Sequence, residues 1–191
     1  MSEILEGHWD KGLAFDVHTL SSTYLGVSEA GYDQFDTEYT KMGGLLLQLK
    51  YRNNRGAVPK IIKLLDKITG IEKFDAFIPI PATKKDRPYQ PVELIAVALG
   101  KKRDVPVLTD LLLNGGDEEL KGVTDPIERI NLLKSAITLN KPGRVRGKKV
   151  LLIDDLYRSG STLNVATDIL RDKGGAKRVC VLTMTKTRSN R

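Results

Sequence analysis

Residues 150–162 read VLLIDDLYRSGST, where an apolar run meets two adjacent carboxylates, Asp154 and Asp155, and a short loop of Arg158, Ser159, Gly160, Ser161 and Thr162 follows. A run such as Val150–Ile153 is typical of a strand buried on both faces of a parallel sheet, and the carboxyl ends of such strands are where α/β proteins bind ligands. After the loop, Val165, Ile169 and Leu170 recur at helical spacing until Gly174 and Gly175, so the loop opens a helix. The amide groups at a helix start, with Ser and Thr hydroxyls beside them, suit an anion, and a glycine lets backbone come close. The carboxylate end suits hydroxyl groups or a metal ion. A sugar phosphate has both features, although a solvated acidic pair next to a well-capped helix would be written with the same residue types.

Two further groups of cations follow strand-like or loop-like segments. Lys84, Lys85 and Arg87 come just after IPIP, where Pro79 and Pro81 impose an extended exit. Lys121 sits in NGGDEELKGVTD (114–125), a glycine-rich, acidic stretch with the character of a lid. An ordinary basic loop accounts for the first group equally simply. Arg129 either ends the lid or pairs with Asp125 four positions earlier on a helix.

The elements that must position these residues alternate. Strands are expected at 74–81, 105–108, 148–155 and 177–185, and helices at 91–102, 126–137 and 161–173, with Asp125 and Pro126 starting the second of these helices. Upstream, a helix capped near Thr37 or Thr40 runs through the LLLQLKY segment, weakened by Gly43 and Gly44, and another spans 58–68. This alternation predicts a central parallel sheet with helices on both faces. Residues 7–40 lack helical periodicity and suggest a small antiparallel β unit, with Trp9 and Tyr24 in its core. The division expected is residues 1–40 as an acidic N-terminal cap and 41–191 as the α/β domain.

The 191 residues carry a net charge of +7, distributed unevenly: residues 1–40 hold eight acids against Lys11 alone, a balance of −7, and the remainder carries +14. A positive body attracts polyanions, whether a small phosphorylated ligand or nucleic acid. Lysines such as Lys101 and Lys148 are equally well read as solvated surface. No apolar run is long enough to cross a membrane, and MSEILEGHWDKG is too acidic for a signal peptide, so the expectation is a cytoplasmic protein without membrane association. Cys180, the single cysteine, lies in a strand-like run and builds neither a disulfide nor a zinc cluster. His8 and His18 lack metal-ligand spacing and are expected at the surface or in hydrogen bonds. No Ser-His-Asp or Cys-His set is evident.

The 150–162 stretch resembles the signature of the phosphoribosyltransferases of the type I fold, and the likeness implies that fold here, with the N-terminal cap in the place of a hood. Within it, Asp154 and Asp155 would bind the ribose hydroxyls of phosphoribosyl pyrophosphate, and Arg158, Ser159, Gly160, Ser161 and Thr162 its 5′-phosphate. The usual loop has Thr where this chain has Arg158. The strand-PxP pattern, the ELKGVTDPIERINLL stretch and LKYRNN (49–54) are similar to the ComF-type competence family in particular, which implies that Lys84, Arg87 and Lys121 contact the pyrophosphate. That family usually continues Arg-Gly-Phe-Asn-Gln, where this chain has Arg87, Pro88, Tyr89, Gln90 and Pro91, and it commonly begins with a zinc-binding cysteine cluster that one cysteine cannot form.

The resemblance also implies Mg²⁺, reached by Asp154 and Asp155 indirectly through the ribose hydroxyls, and a homodimer. The activity implied is transfer of ribose phosphate to a nitrogenous base or amine acceptor. The other reading is a phosphoribosyl-pyrophosphate-sensing or nucleic-acid-associated protein that keeps the site without turnover.

Overall fold

The computed structural model describes residues 2–83, 86–116 and 125–188. The expectations for Lys84, Lys85, Lys121, the body of the lid and the side chain of Arg129 lie outside the described residues.

A five-stranded sheet organises the chain, with β1 (Glu3–Leu5), β2 (Lys11–Val17), β5 (Ala76–Pro79), β8 (Lys149–Tyr157) and β9 (Arg178–Lys186) in the order β1-β2-β9-β8-β5. All neighbours run parallel except β1 against β2. The period-2 alternation of side chains sorts the apolar residues of β8 into two cores. Val150 and Leu152 pack beneath α4 (Pro126–Ala136) and α5 (Ser161–Asp168), while Leu151 and Ile153 pack beneath α1 (Lys41–Tyr51), α2 (Ala57–Leu64) and α3 (Pro91–Arg103). Helices thus cover both faces, as the sequence predicts. Cys180 is buried on β9, and burial pushes its thiol pKa up.

The N-terminal segment divides in a way its sequence does not announce. Residues 3–5 and 11–17 belong to the central sheet, with Leu13 paired to Leu182, and only β3 (Thr19–Val27) and β4 (Asp33–Tyr39) form a separate antiparallel hairpin. Trp9 accordingly packs in the sheet's core and donates from Nε1 to the Leu5 carbonyl at 2.9 Å, and Tyr24 lies 54% exposed, so neither belongs to a core within the cap. Composition could not separate the two halves, because both are acidic and strand-like.

Two other expectations are corrected. The segment 105–108 makes a single bridge beside β5 and no strand: Phe77 donates to the Pro106 carbonyl at 2.8 Å and Leu108 to the Phe77 carbonyl at 2.9 Å. Pro106 has no amide hydrogen with which to extend the ladder. The short antiparallel pair β6 (Leu112–Asn114) and β7 (Ile137–Leu139) takes in Asn114 from the start of the expected lid and Ile137 from the end of the expected helix; three residues per strand show no usable alternation. The helix from 161 holds α geometry to Asp168 and finishes as a wider π turn through Lys173.

Helix α1 starts where Thr40 caps it, its hydroxyl accepting from the Gly43 amide at 3.0 Å and donating to the Val17 carbonyl at 2.7 Å. Gly43 has a packing reason: a Cβ there would stand 2.1 Å from the His18 carbonyl oxygen, whereas one on Gly44 would meet nothing closer than 4.0 Å. Gly43→Ala is therefore expected to lower unfolding stability by about 1–3 kcal/mol. Gly44→Ala should raise it by roughly 0.5–1 kcal/mol, the opposite sign from adjacent glycines of one helix, and urea denaturation of the two variants checks this.

Candidate active site

The carboxyl ends of β5 and β8 open into a cleft of about 500 Å³ whose lining includes Lys50, Arg87, Asp154, Asp155, Arg158 and Thr162. They come from three segments far apart in sequence, α1, the 80s loop and β8 with its following loop and helix start, which the fold brings together. Asp154 and Asp155 are consecutive on β8, so their side chains diverge. Asp155 turns toward α1, where its Oδ2 lies 2.6 Å from Lys50 Nζ, both side chains being largely buried. Asp154 has no such cation; its Oδ1 accepts the Asp155 amide at 2.8 Å. Burial pushes the Asp154 carboxyl up to about 8, the Asp155 charge adds to the rise, and the amide hydrogen bond and Lys50 oppose it.

The loop that follows carries its own geometry. Gly160 has φ 74° and precedes α5 as its N-cap, so no side chain occupies the capping position over the first-turn amides. A Cβ at 160 would fall 2.8 Å from the Tyr157 ring, a second reason for glycine. Ser159 and Ser161 hydroxyls lie 2.9 Å apart at the loop surface. The Ser161 amide makes only a long hydrogen bond of 3.5 Å, to Ser159 Oγ. The arrangement is a helix start with no capping side chain at Gly160, edged by Arg158 and Thr162 and beside a pair of carboxylates.

Of the residues singled out from sequence, Asp154, Asp155, Arg158, Thr162 and Arg87 line the cleft, and Ser159, Gly160 and Ser161 form the adjoining loop. Arg87 also stands over the Tyr51 ring at 6.0 Å from its centroid. The residue that sequence reasoning missed is Lys50. It sits in the LKYRNN segment, yet nothing in an isolated helix end says that its lysine meets a strand aspartate 105 positions later.

His18 also lies nearer the site than its letters suggest. Thr185 Oγ1 donates to the Asp155 carbonyl at 3.0 Å, and His18 Nδ1 lies 3.0 Å from the same hydroxyl. The hydroxyl proton being committed to the carbonyl, His18 donates through Nδ1–H. Burial holds the His18 pKa below its ordinary value, with Lys50 and Arg158 reinforcing and Asp155 opposing. His8 is a surface residue, as expected, 2.9 Å from Asp168 on α5.

Comparison with known proteins adds a family likeness. Residues 104–190 match the phosphoribosyl transferase domain, a span that contains β8, the Asp154–Asp155 pair, the loop and α5. Over that span the chain is similar to phosphoribosyltransferase domains. The mostly parallel sheet, the helices on both of its faces and the separate N-terminal hairpin agree with the architecture that the resemblance implies.

Among individual proteins, the chain is 29% identical to the competence protein ComFC of Bacillus subtilis over 119 residues, 61% of this chain and 46% of that protein. It is 48% identical over 44 residues to the adenine phosphoribosyltransferase of Treponema denticola, 23% of each. The chain thus spans less than half the length of either curated relative in the matched region. A solved purine phosphoribosyltransferase from Pyrococcus horikoshii is similar with a TM-score of 0.45 at 20% identity, over 69% of this chain and 84% of that one.

The raised Asp154 pKa has a consequence for stability. Between about pH 4 and pH 8 the folded protein keeps a proton on Asp154 that the unfolded chain has released, so stability falls as pH rises through that window. Asp154→Asn removes this loss. The variant is expected to melt higher than the parent at pH 8, by on the order of 1 kcal/mol or more, with the gap closing toward pH 4. Thermal unfolding of both proteins across the range tests it.

Proposed function

We propose that this chain binds phosphoribosyl pyrophosphate with Mg²⁺ and transfers the ribose phosphate to a nitrogen acceptor, a base or an amine. The observation that carries the reading is the opposition, across one cleft, of two strand-end carboxylates and an uncapped helix start. In this reading the amides of 160–162, with Ser159, Ser161, Thr162 and Arg158, hold the 5′-phosphate. Asp154 and Asp155 accept hydrogen bonds from the ribose hydroxyls, which fixes C1′ between the loop and the basic side of the cleft. Arg87 faces the pyrophosphate from that side; Lys84 and Lys121 are proposed for the same role.

The donor set suits Mg²⁺, a hard cation that takes oxygen ligands: Asp154 is a carboxylate kept without a protein cation, and additional positive charge beside it would lower its pKa. The residues that would face the ion are Asp154 and Asp155, through the ribose hydroxyls. When bound, Mg²⁺ neutralises charge on the departing pyrophosphate. The chain's own contribution is positioning and electrostatics. As the C1′–O bond to pyrophosphate breaks and the C1′–N bond forms, positive charge grows on the ribose, and the carboxylates below it are already in place. Arg87 stabilises the opposite charge on the leaving group. The acceptor nitrogen gives up its proton as the bond completes. Lys50 has a positioning role: by holding Asp155 it sets the direction of one carboxylate before the ligand arrives.

A second reading, a ligand sensor without turnover, is favoured by the likeness to ComFC and the basic balance of residues 41–191. Calorimetric titration with phosphoribosyl pyrophosphate and Mg²⁺, coupled to a pyrophosphate-release assay across candidate bases and amines, separates the two. Saturable binding is expected, lost in the Asp154→Asn, Asp155→Asn variant, with turnover for at least one acceptor. Binding without pyrophosphate release for any acceptor would favour the sensor, and no binding by the intact protein would defeat both. Because Asp154 must shed its proton to accept a ribose hydroxyl, affinity should rise with pH up to about 8 and then level, with proton release seen as a dependence of the binding heat on buffer.

A further inference from the structure

The segment between β1 and β2, residues 6–10, joins the sheet to α5, the helix that starts at the cleft. Within it, His8 donates its amide to Asn164 Oδ1 at 2.9 Å, and His8 Nδ1 lies 2.9 Å from the Asp168 carboxylate. Arg171 donates to the His8 carbonyl and meets Asp10 at 2.8 Å. Residues 164, 168 and 171 recur at helical spacing, so these contacts form one stripe along the helix. Asp10 also accepts the Val179 amide at 2.9 Å, which ties the same segment to β9. None of these residues belongs to the cleft lining.

Trp9 carries the segment's hold on the loop ahead of α5. Its indole is buried and fits because residues 7 and 12 are glycines: a Cβ on either would collide with the ring. The indole meets the Tyr157 ring edge-on, at 87° with centroids 6.3 Å apart. Tyr157 in turn sets its phenol end against Gly160, where a Cβ would stand 2.8 Å from the ring. Gly160 holds the left-handed φ of 74° from which α5 begins. Arg158 and Ser159, between Tyr157 and Gly160, are exposed and bring no core of their own to the loop. We infer that Trp9 and Tyr157 are positioning residues for the anion loop, a wedge that holds the Gly160 turn, and with it the first-turn amides of α5, in place for the phosphate of a phosphorylated sugar.

Amide donors grip an anion best when they are fixed before it arrives, since ordering them on binding subtracts from affinity. Glycine by itself leaves the left-handed region readily, so the ring set against it supplies a restraint that the residue lacks. The wedge acts at the phosphate end of the cleft alone. At the other end Asp155 is held by Lys50, and Asp154 by the Asp155 amide. The inference rests on the reading of the loop as a phosphate site and adds which side chains outside the cleft keep it in shape.

Hydrogen exchange and calorimetry on the full chain test it with three variants, Tyr157→Leu, Trp9→Leu and Tyr157→Phe. Exchange across residues 158–166 is expected to quicken by roughly tenfold in the two leucine variants while β8 and β9 keep their protection. Affinity for ribose 5-phosphate should fall by roughly tenfold in the same two. Tyr157→Phe keeps the ring and should match the parent in both measurements. Tyr157 is only partly buried, so its variants decide the matter if Trp9→Leu does not fold. Unchanged loop exchange or unchanged affinity in Tyr157→Leu would overturn the inference and leave the phosphate site standing, as would a Tyr157→Phe variant impaired to the same degree. Exchange that quickens throughout the sheet would mark a support for the whole fold, and would overturn a role specific to the loop. Failure of the parent itself to bind ribose 5-phosphate would defeat the phosphate site, and the inference with it.

Discussion

Everything at the candidate site depends on two adjacent carboxylates being held at the end of a buried strand, with one cation between them. Lys50 reaches Asp155 at 2.6 Å and leaves Asp154 to the cleft. Such a pair is costly to desolvate and persists only where geometry compensates. Here the compensation comes from α1, and α1 is placed by small features: the Thr40 cap, and the missing side chain at Gly43 that lets the helix lie against the His18 carbonyl. The turn between β2 and β3, the first helix and the strand end form one unit, although they are distant in sequence.

The same arrangement sets stability against function. Asp154 stands where the fully buried run Val150–Ile153 ends at the cleft. Keeping an aspartate there stores unfavourable desolvation in the free protein, which a ligand offering hydroxyl donors and positive charge can relieve. Strain of this kind concentrates at functional sites, where local rules are broken in favour of chemistry. Its partner, the Gly160 loop, breaks a rule too: the helix starts on a glycine and no capping side chain.

Much of this was legible in the sequence, for identifiable reasons. The β8 run, the aspartate pair, the glycine-centred loop and α5 are contiguous, so their order and spacing carry the geometry. The Thr40 cap and Pro126 after Asp125 are local signals, and the structure bears them out, with Asp125 accepting from the Glu128 amide at 2.9 Å. What stayed hidden depends on tertiary partners. Lys50 is one lysine at a helix end until β8 is set beside it. Residues 11–17 read like the hairpin that follows them, and nothing local reveals that they pair with β9. The His18–Thr185–Asp155 chain joins three segments and has no sequence signature.

That pairing of β2 with β9 carries a kinetic consequence. Lys11 is in register with Cys180 and Val17 with Lys186, so β2 enters the central sheet only by pairing with a strand about 170 positions later. Contacts of such separation are entropically expensive to close and slow folding. During synthesis, β2 must wait, with its apolar residues Leu13 and Phe15 unpaired with β9, until β9 has emerged. The nascent chain is then most exposed to aggregation at the strand that will later sit beside the sheet's centre.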